Sequence, residues 1–224
     1  MDIERALVDG ILAVNAARPK KDRDYFIMSS MGSCIRKQVL QRAGVPPTNP
    51  PDARSLTKMW LGTVIHAAAQ EVLVKQGYLD PLSLEQRVSY HGAIGKMDGR
   101  TVEGETIVEI KTVDDDAITR YPEMPLNYLW QGYTVCLAEG LTQLELFQVG
   151  RSQGLTRRRL YTLPDEWVEG IDKHLEDLNT AWNSYKMSGT VPAHSHNFPW
   201  EKTYCPYLEK PAGKPQEVQN VPRA

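Results

Sequence analysis

The sequence predicts an α/β protein, and three observations carry that prediction. Apolar residues recur at helical spacing near the N-terminus and again, over a longer run, from residue 165 to 189. β-Branched runs bounded by glycines fill residues 85–113, and two further short runs, "QLELFQVG" and "RRRLYTLP", flank Gly154 as a hairpin would. At 224 residues the chain suffices for one sizeable domain with a small appendage. Hydrophobic residues at 41% and charged residues at 24% fit a soluble globular protein. A net charge of -2 argues neither for nor against nucleic acid, because a basic groove can coexist with an acidic metal site.

In order along the chain, "MDIERALVDGILAVNAARPKK" reads as an amphipathic helix with Ile3, Leu7, Ile11 and Val14 on one face, followed by the charged linker "PKKDRD". Acidic Asp2 and Glu4 stand where a signal peptide would be basic, and nothing approaches the roughly 20 apolar residues of a membrane span. A cytoplasmic protein, in a bacterial or phage-infected host cell, is therefore expected, with no membrane partner. "SSMGSCIRKQVLQRAG" reads as a Ser-capped helix closed by Gly44. A longer helix follows, with Met59, Val64, Ala67 and Leu73 near one face and Gly77 at its end. Residues 85–113 read as three strands with glycine turns at 92, 95, 99 and 104, and "PLNYLWQGYTVCLAEG" as a helix. Val168, Ile171, Leu175, Leu178, Trp182 and Tyr185 mark a last long helix capped by Gly189. The organisation expected is a helix and linker at 1–28, the main domain at 29–188 and a tail at 189–224, anchored by "FPW" and "YCPYL".

The chemistry concentrates in "GKMDGRTVEGETIVEIKTV", residues 95–113. A strand as rich in β-branched residues as "TIVEIKTV" is expected to be buried, and burying Glu109 and Lys111 there is costly unless they pair or bind something. Residues two apart on a strand share a face, so the two side chains lie side by side. The carbonyl of Ile110 turns to the strand edge, and a hairpin can bring the Asp98 carboxylate across to Glu109. Two carboxylates and a main-chain carbonyl make an oxygen site suited to Mg2+. Lys111 beside it can orient or deprotonate a water and stabilise phosphoryl charge. A plain Glu–Lys pair with Asp98 serving the turn is the alternative for the same residues.

These residues resemble the PD-(D/E)XK nuclease superfamily, and within it the RecB-like exonuclease branch: an Asp before a hairpin (Asp98), then (D/E)-x-K on the next strand (Glu109, Lys111). The branch's G-x-x-x-H on an upstream helix is matched by Gly62 and His66, and its later helical glutamine by Gln131 in "YLWQGY". Its tyrosine four residues beyond that glutamine is replaced here by Val135, with Tyr133 or Tyr128 as candidate substitutes. The resemblance spans residues 29–150 and implies a restriction-endonuclease-like core, a central mixed β-sheet flanked by helices. It implies a DNA exonuclease acting on single- or double-stranded ends in recombination, repair or phage DNA processing. Lys111, Glu109, Asp98 and Gln131 would be catalytic, and Mg2+ or Mn2+ would be held by His66, Asp98, Glu109 and the Ile110 carbonyl, the imidazole suiting Mn2+. A recombination or replication protein is a further expected partner. The competing class is a silent member of the same fold that holds DNA ends or a partner, but the three residues whose loss would mark it are present.

Cys34 and Cys205 resemble two of the four cysteines that hold an iron–sulfur cluster in related nucleases. With only three cysteines in the chain, no cluster is expected, and the pair stands as a remnant of that arrangement. Arg157, Arg158, Arg159 and Tyr133 are candidate DNA contacts, although an edge strand also uses such charges against aggregation. Glu85 resembles an acidic position of the family or is a solvated strand end. Asp114, Asp115 and Asp116 read as caps of the following helix.

Overall fold

Six of the eight residues in "TIVEIKTV" are β-branched, and this segment forms the strand on which the fold is built. The protein is described by a computed structural model covering residues 2–17 and 24–208; most of the charged linker and residues 209–224 lie outside the described residues. Its elements are α1 (Ile3–Ala16), β1 (Phe26–Ile27), α2 (Ile35–Arg42), α3 (Ala53–Lys75), β2 (Arg87–Tyr90), β3 (Ala93–Lys96), β4 (Gly99–Arg100) and β5 (Thr106–Val113). There follow α4 (Asp115–Arg120), α5 (Leu126–Glu139), β6 (Gln143–Gly150), β7 (Thr156–Thr162), α6 (Asp165–Ser188) and α7 (Glu201–Tyr204).

Four strands form the main mixed sheet in the order β4-β5-β6-β7. β5 runs parallel to β6, with Glu109 opposite Leu146, and antiparallel to β4, with Gly99 opposite Val108. The parallel pair needs a crossover, which α4 and α5 supply. Residues on one face of β5 and β6 (Ile107, Leu144, Leu146) pack beneath α5 and α6, which contribute Val135, Cys136, Ile171, Leu175 and Leu178. Val108 and Ile110 on the other face join Leu79 and the C-terminal half of α3. A side chain buried this fully contributes about 1.5–3 kcal/mol, so both helical layers are firmly bound to the sheet.

A second sheet, β1-β3-β2, sets β1 parallel and β2 antiparallel to β3. The chain leaves it through Met97 and Asp98 to enter β4, so residues 85–113 hold four strands, not three. Gly95 lies inside β3, where a side chain would strike Met28 at 2.8 Å, and only Gly92 and Gly104 take the positive φ of turn glycines.

Helix surfaces depart from the sequence reading. In α3, Met59, Val64 and Ala67 are exposed; the buried residues are Leu56 and Gln70, with Ala69, Leu73 and Val74 packed against the sheet. Only the C-terminal half of α3 crosses the sheet, while its N-terminal half borders a cleft. On α1, Ile11 is buried whereas Ile3, Leu7 and Val14 are exposed. The Ser cap expected for α2 is absent: Cys34 is the N-cap and makes no side-chain capping bond. Glu201 in the tail accepts from the Cys34 amide at 2.8 Å, and Ser195 Oγ accepts from the Ile35 amide at 3.3 Å. The tail thus supplies from a distance the cap that the local sequence lacks.

Candidate functional site

The site begins where β4 ends. Its pairing with β5 stops at Val108, so the next residue on that edge, Ile110, turns its amide toward no strand. Asp98, just before β4, fills the place: its Oδ2 accepts from the Ile110 amide at 2.7 Å. In an extended strand the carbonyl of the same residue leaves by the same edge. His66 comes from α3, whose Nε2 stands 3.2 Å from Asp98 Oδ2. This is a charge contact without aligned hydrogen-bond geometry, since His66 Nε2 is buried with no hydrogen-bond partner. Gly62, one turn before His66, accepts at its carbonyl from Thr112 Oγ1 at 3.3 Å and ties α3 to β5.

Glu109 and Lys111 project from the α5 face of β5. Lys111 Nζ donates to Glu109 Oε1 and, at 2.8 Å, to Gln131 Oε1; Gln131 Nε2 donates to Glu109 Oε1 at 2.6 Å. The three close a triangle that fixes every rotamer in it. Gly132 makes it possible for α5 to come this close: a Cβ there would meet Leu144 Cδ1 at 2.6 Å. The sequence reading found Gln131 but passed over the glycine beside it.

Burial dominates the electrostatics. The Glu109 side chain is 1% exposed, and its carboxyl is pushed up to about 7, first by burial and then by the neighbouring Asp98 charge. Burial alone would lower Lys111, but Glu109 and Asp98 outweigh it and hold the ammonium protonated. The Asp98 carboxylate likewise raises His66 against its own burial.

Two buried atoms lack hydrogen-bond partners here, Glu109 Oε2 and His66 Nε2. An unpartnered Glu109 oxygen beside an Asp98 carboxylate that faces the His66 ring nitrogen at 3.2 Å is the pattern a cation site leaves. The donor set of carboxylate oxygens, one main-chain carbonyl and one imidazole fits a divalent cation. Among the described residues, the ligand atoms of His66, Glu85 and Asp98 lie within 4.8 Å of one another. Glu85, although exposed, is therefore part of this neighbourhood. It holds a positive φ of 54, strained for a residue with a side chain, and binds Lys96 Nζ at 3.1 Å and Gln70 Nε2 at 3.3 Å. Gln70 also donates to the Asp98 carbonyl at 2.6 Å, bracing both acids. All these groups except Glu85 and Gln70 form the floor of a cleft of about 530 Å³.

Other predicted contacts lie elsewhere. Tyr133 is 3% exposed, packed against Trp167 in the core, and offers no surface to DNA; helical spacing turns it to the α6 side. Tyr128 is the tyrosine near the site, its ring 5.3 Å from Lys111 Nζ. Arg157 donates to Gln148 and to the carbonyls of Ile118 and Tyr121, and Arg158 to Glu145 at 2.8 Å, so both have internal partners; Arg159 is exposed. Asp114 is the N-cap of α4 and pairs with Lys58 and Arg151. Asp115 accepts from the Ser152 hydroxyl and from the amides of Ser152, Gln153 and Leu155, which hold its carboxyl down at about 2. Cys34 and Cys205 are buried free thiols on either side of the α2–tail junction, Cys34 Sγ lying 3.8 Å from His194 Nδ1. Amides of His196, Lys37 and Ser195 lower the Cys34 thiol although burial opposes them.

No family model and no curated protein matches the sequence. Among solved structures the chain is similar to the protein SSO0001, with a TM-score of 0.58 at 15% identity over 92% of this chain and 94% of that one. It is also similar to LHK-Exo, an alkaline exonuclease from Laribacter hongkongensis, with a TM-score of 0.51 at 14% identity over 67% of this chain and 78% of that one. At such identities the likeness is one of fold, and the fold is the restriction-endonuclease-like arrangement of a mixed sheet flanked by helices.

Proposed function

We propose that this protein is a Mg2+- or Mn2+-dependent DNA nuclease of the PD-(D/E)XK superfamily, acting as an exonuclease on linear DNA in recombination, repair or phage DNA processing. The observation that carries the reading is the meeting of Asp98, Glu109, Lys111, Gln131 and His66 in one cleft, with Glu109 Oε2 and His66 Nε2 left without hydrogen bonds. Likeness of fold to an alkaline exonuclease supports it.

Asp98, Glu109, His66 and the Ile110 carbonyl would hold the cation, with Glu85 beside them. When bound, the cation supplies Lewis-acid polarisation of the phosphoryl group and acidifies water. In the hydrolysis, a water oxygen bonds to phosphorus while its proton passes to solvent, one P–O ester bond breaks, and the departing oxygen takes up a proton from solvent. Lys111, held protonated by its two acidic neighbours, acts as a donor: it orients the attacking water and faces the charge growing on the phosphoryl oxygens. Gln131 locks the rotamers of Glu109 and Lys111, which keeps that donor in place.

Iron–sulfur chemistry is not part of the proposal. Cys136 lies within α5, its thiol donating to the Gln143 carbonyl, so the tail region has two of the four thiolates a cluster ordinarily uses. A recombination or replication protein in a bacterial or phage-infected cytoplasm would be the natural partner; no helix among the described residues is long and apolar enough to cross a membrane. The test is incubation of end-labelled linear DNA with purified protein. Shortening of the label with Mg2+ or Mn2+ and its arrest by EDTA are expected, and intact DNA in both metals and both strand forms would refute the nuclease.

A further inference from the structure

The cleft has two unlike halves. Its floor carries the polar groups just described, while one wall is apolar: Ile11 and Val14 of α1 face Leu56, Met59 and Trp60 of α3. On α3 the residues Leu56, Met59, Trp60, Thr63 and His66 follow one another at helical spacing, so a single stripe runs from apolar wall to metal-ligand histidine. Six residues separate Trp60 from His66, a rise of about 9 Å along the helix. Met59 is 57% exposed and Trp60 38%, although both are large apolar side chains beside a charged floor. Lys111 is the one lysine or arginine among the lining residues, and it already bonds to Glu109 and Gln131.

A cleft of this kind cannot grip its substrate through the backbone charge alone. Among the described residues no lysine or arginine besides Lys111 lines it, so the attraction these residues offer to phosphates is confined to the floor, and flat apolar surface is what the wall adds. Exposed indole and thioether groups are the surfaces on which nucleobases stack. A volume of about 530 Å³ is the scale of a small-molecule pocket, room for one or two nucleotides beside the floor. A base drawn between the α1 and α3 walls onto Trp60 has left its pairing partner.

Resting on the nuclease reading above, we propose that Trp60 and Met59 form a stacking wall for unpaired bases of the strand whose phosphate lies on the floor, so that the protein takes single-stranded or frayed DNA ends in preference to closed duplex. The exposed Val14 of α1 closes the other side of the base, which gives the exposed α1–α3 surface a function. A second copy of the chain covering this surface is the competing occupant.

The experiment is fluorescence anisotropy with three labelled 12-mers, dT12, an abasic strand of the same length and a blunt duplex, with Ca2+ present so that the strands stay intact. Wild-type protein is expected to bind dT12 about tenfold or more tighter than the abasic strand, the loss expected for unstacked bases, and tighter than the duplex. Trp60→Ala should bring dT12 down toward the abasic strand, Met59→Ala should do so in part, and Trp60→Phe should restore most of the affinity. Equal affinity for dT12 and the abasic strand overturns the inference without any variant. So does unchanged dT12 binding by a folded Trp60→Ala protein, or sedimentation showing a dimer that Trp60→Ala breaks. Cleavage of dT12 with Mn2+ is scored separately. Base-dependent binding without cleavage would refute the nuclease and leave the stacking wall, whereas cleavage with base-independent binding would do the reverse.

Discussion

Glu201 reaches back along the chain to Cys34, its Oε1 accepting from the Cys34 amide at 2.8 Å while its Oε2 accepts from the Phe198 amide at 3.1 Å. A fully buried carboxylate therefore caps the N-terminus of α2 and closes the tail on itself at once. Glu201→Ala would leave two buried amides unsatisfied at about 1–3 kcal/mol each, and Glu201→Gln would keep one acceptor and lose less. Urea unfolding is expected to show a loss of about 2–4 kcal/mol for alanine and roughly half that for glutamine. Proteolytic release of the tail should rise in the same order. Equal midpoints for the three proteins would mean that the tail's attachment does not depend on this carboxylate.

Gly132 sets the distance between α5 and the sheet. Gly132→Ala would gain about 1 kcal/mol of helix propensity, but it drives a methyl into Leu144 at 2.6 Å, an overpacking that costs about 1–3 kcal/mol. Activity should fall more than stability, because α5 carries Gln131 away from Glu109 and Lys111. Gln131→Ala should lower the rate while leaving the melting temperature within a few degrees. A Gly132→Ala protein with full activity would show that the triangle does not depend on this approach.

Acid sensitivity should centre on His174. Gln38 Nε2 donates to the Ser33 carbonyl and lies 3.0 Å from His174 Nε2, which must therefore accept and be unprotonated. Burial under α5 pushes the imidazole down to about 4. Between its ordinary value near 6.5 and about 4, the unfolded chain takes up a proton that the folded one refuses, so stability falls as pH drops through that window. The full effect is up to about 3 kcal/mol. Urea midpoints for wild type should decline from pH 7 to 4, and His174→Gln should flatten the decline. Parallel declines would assign the acid limb to other groups.

Local patterns in the sequence were sufficient for much of the fold. The strand Thr106–Val113, the hairpin about Gly154 and the helix ends at Gly140 and Gly189 each follow from residues within one turn or one strand. Asp98, Glu109, Lys111, His66 and Gln131 were legible as candidates because strand period and motif order place them, and the structure brings all five into one cleft. What escaped depends on contacts distant in sequence. The cap of α2 comes from residue 201, the closeness of α5 from Leu144, and the left-handed backbone of Glu85 from the sheet around it. Tyr133 looked available because its helix was read without knowing that α6 covers it. Val14 of α1 and Met59 of α3 share their helices' apolar faces in the sequence, yet they stay exposed and border the cleft.

The most direct measurement separates metal binding from chemistry at neighbouring residues of one strand. Wild type, Lys111→Ala, Asp98→Ala and Glu109→Ala are titrated with Mn2+ by calorimetry and assayed on end-labelled linear DNA. Lys111→Ala should lose cleavage by a factor of about 100 or more and bind Mn2+ as well as wild type or better, because a positive charge beside the cation is gone. Asp98→Ala and Glu109→Ala should lose cleavage and Mn2+ binding together. Cleavage at the wild-type rate by Lys111→Ala, or undiminished Mn2+ affinity in both carboxylate variants, would contradict the account.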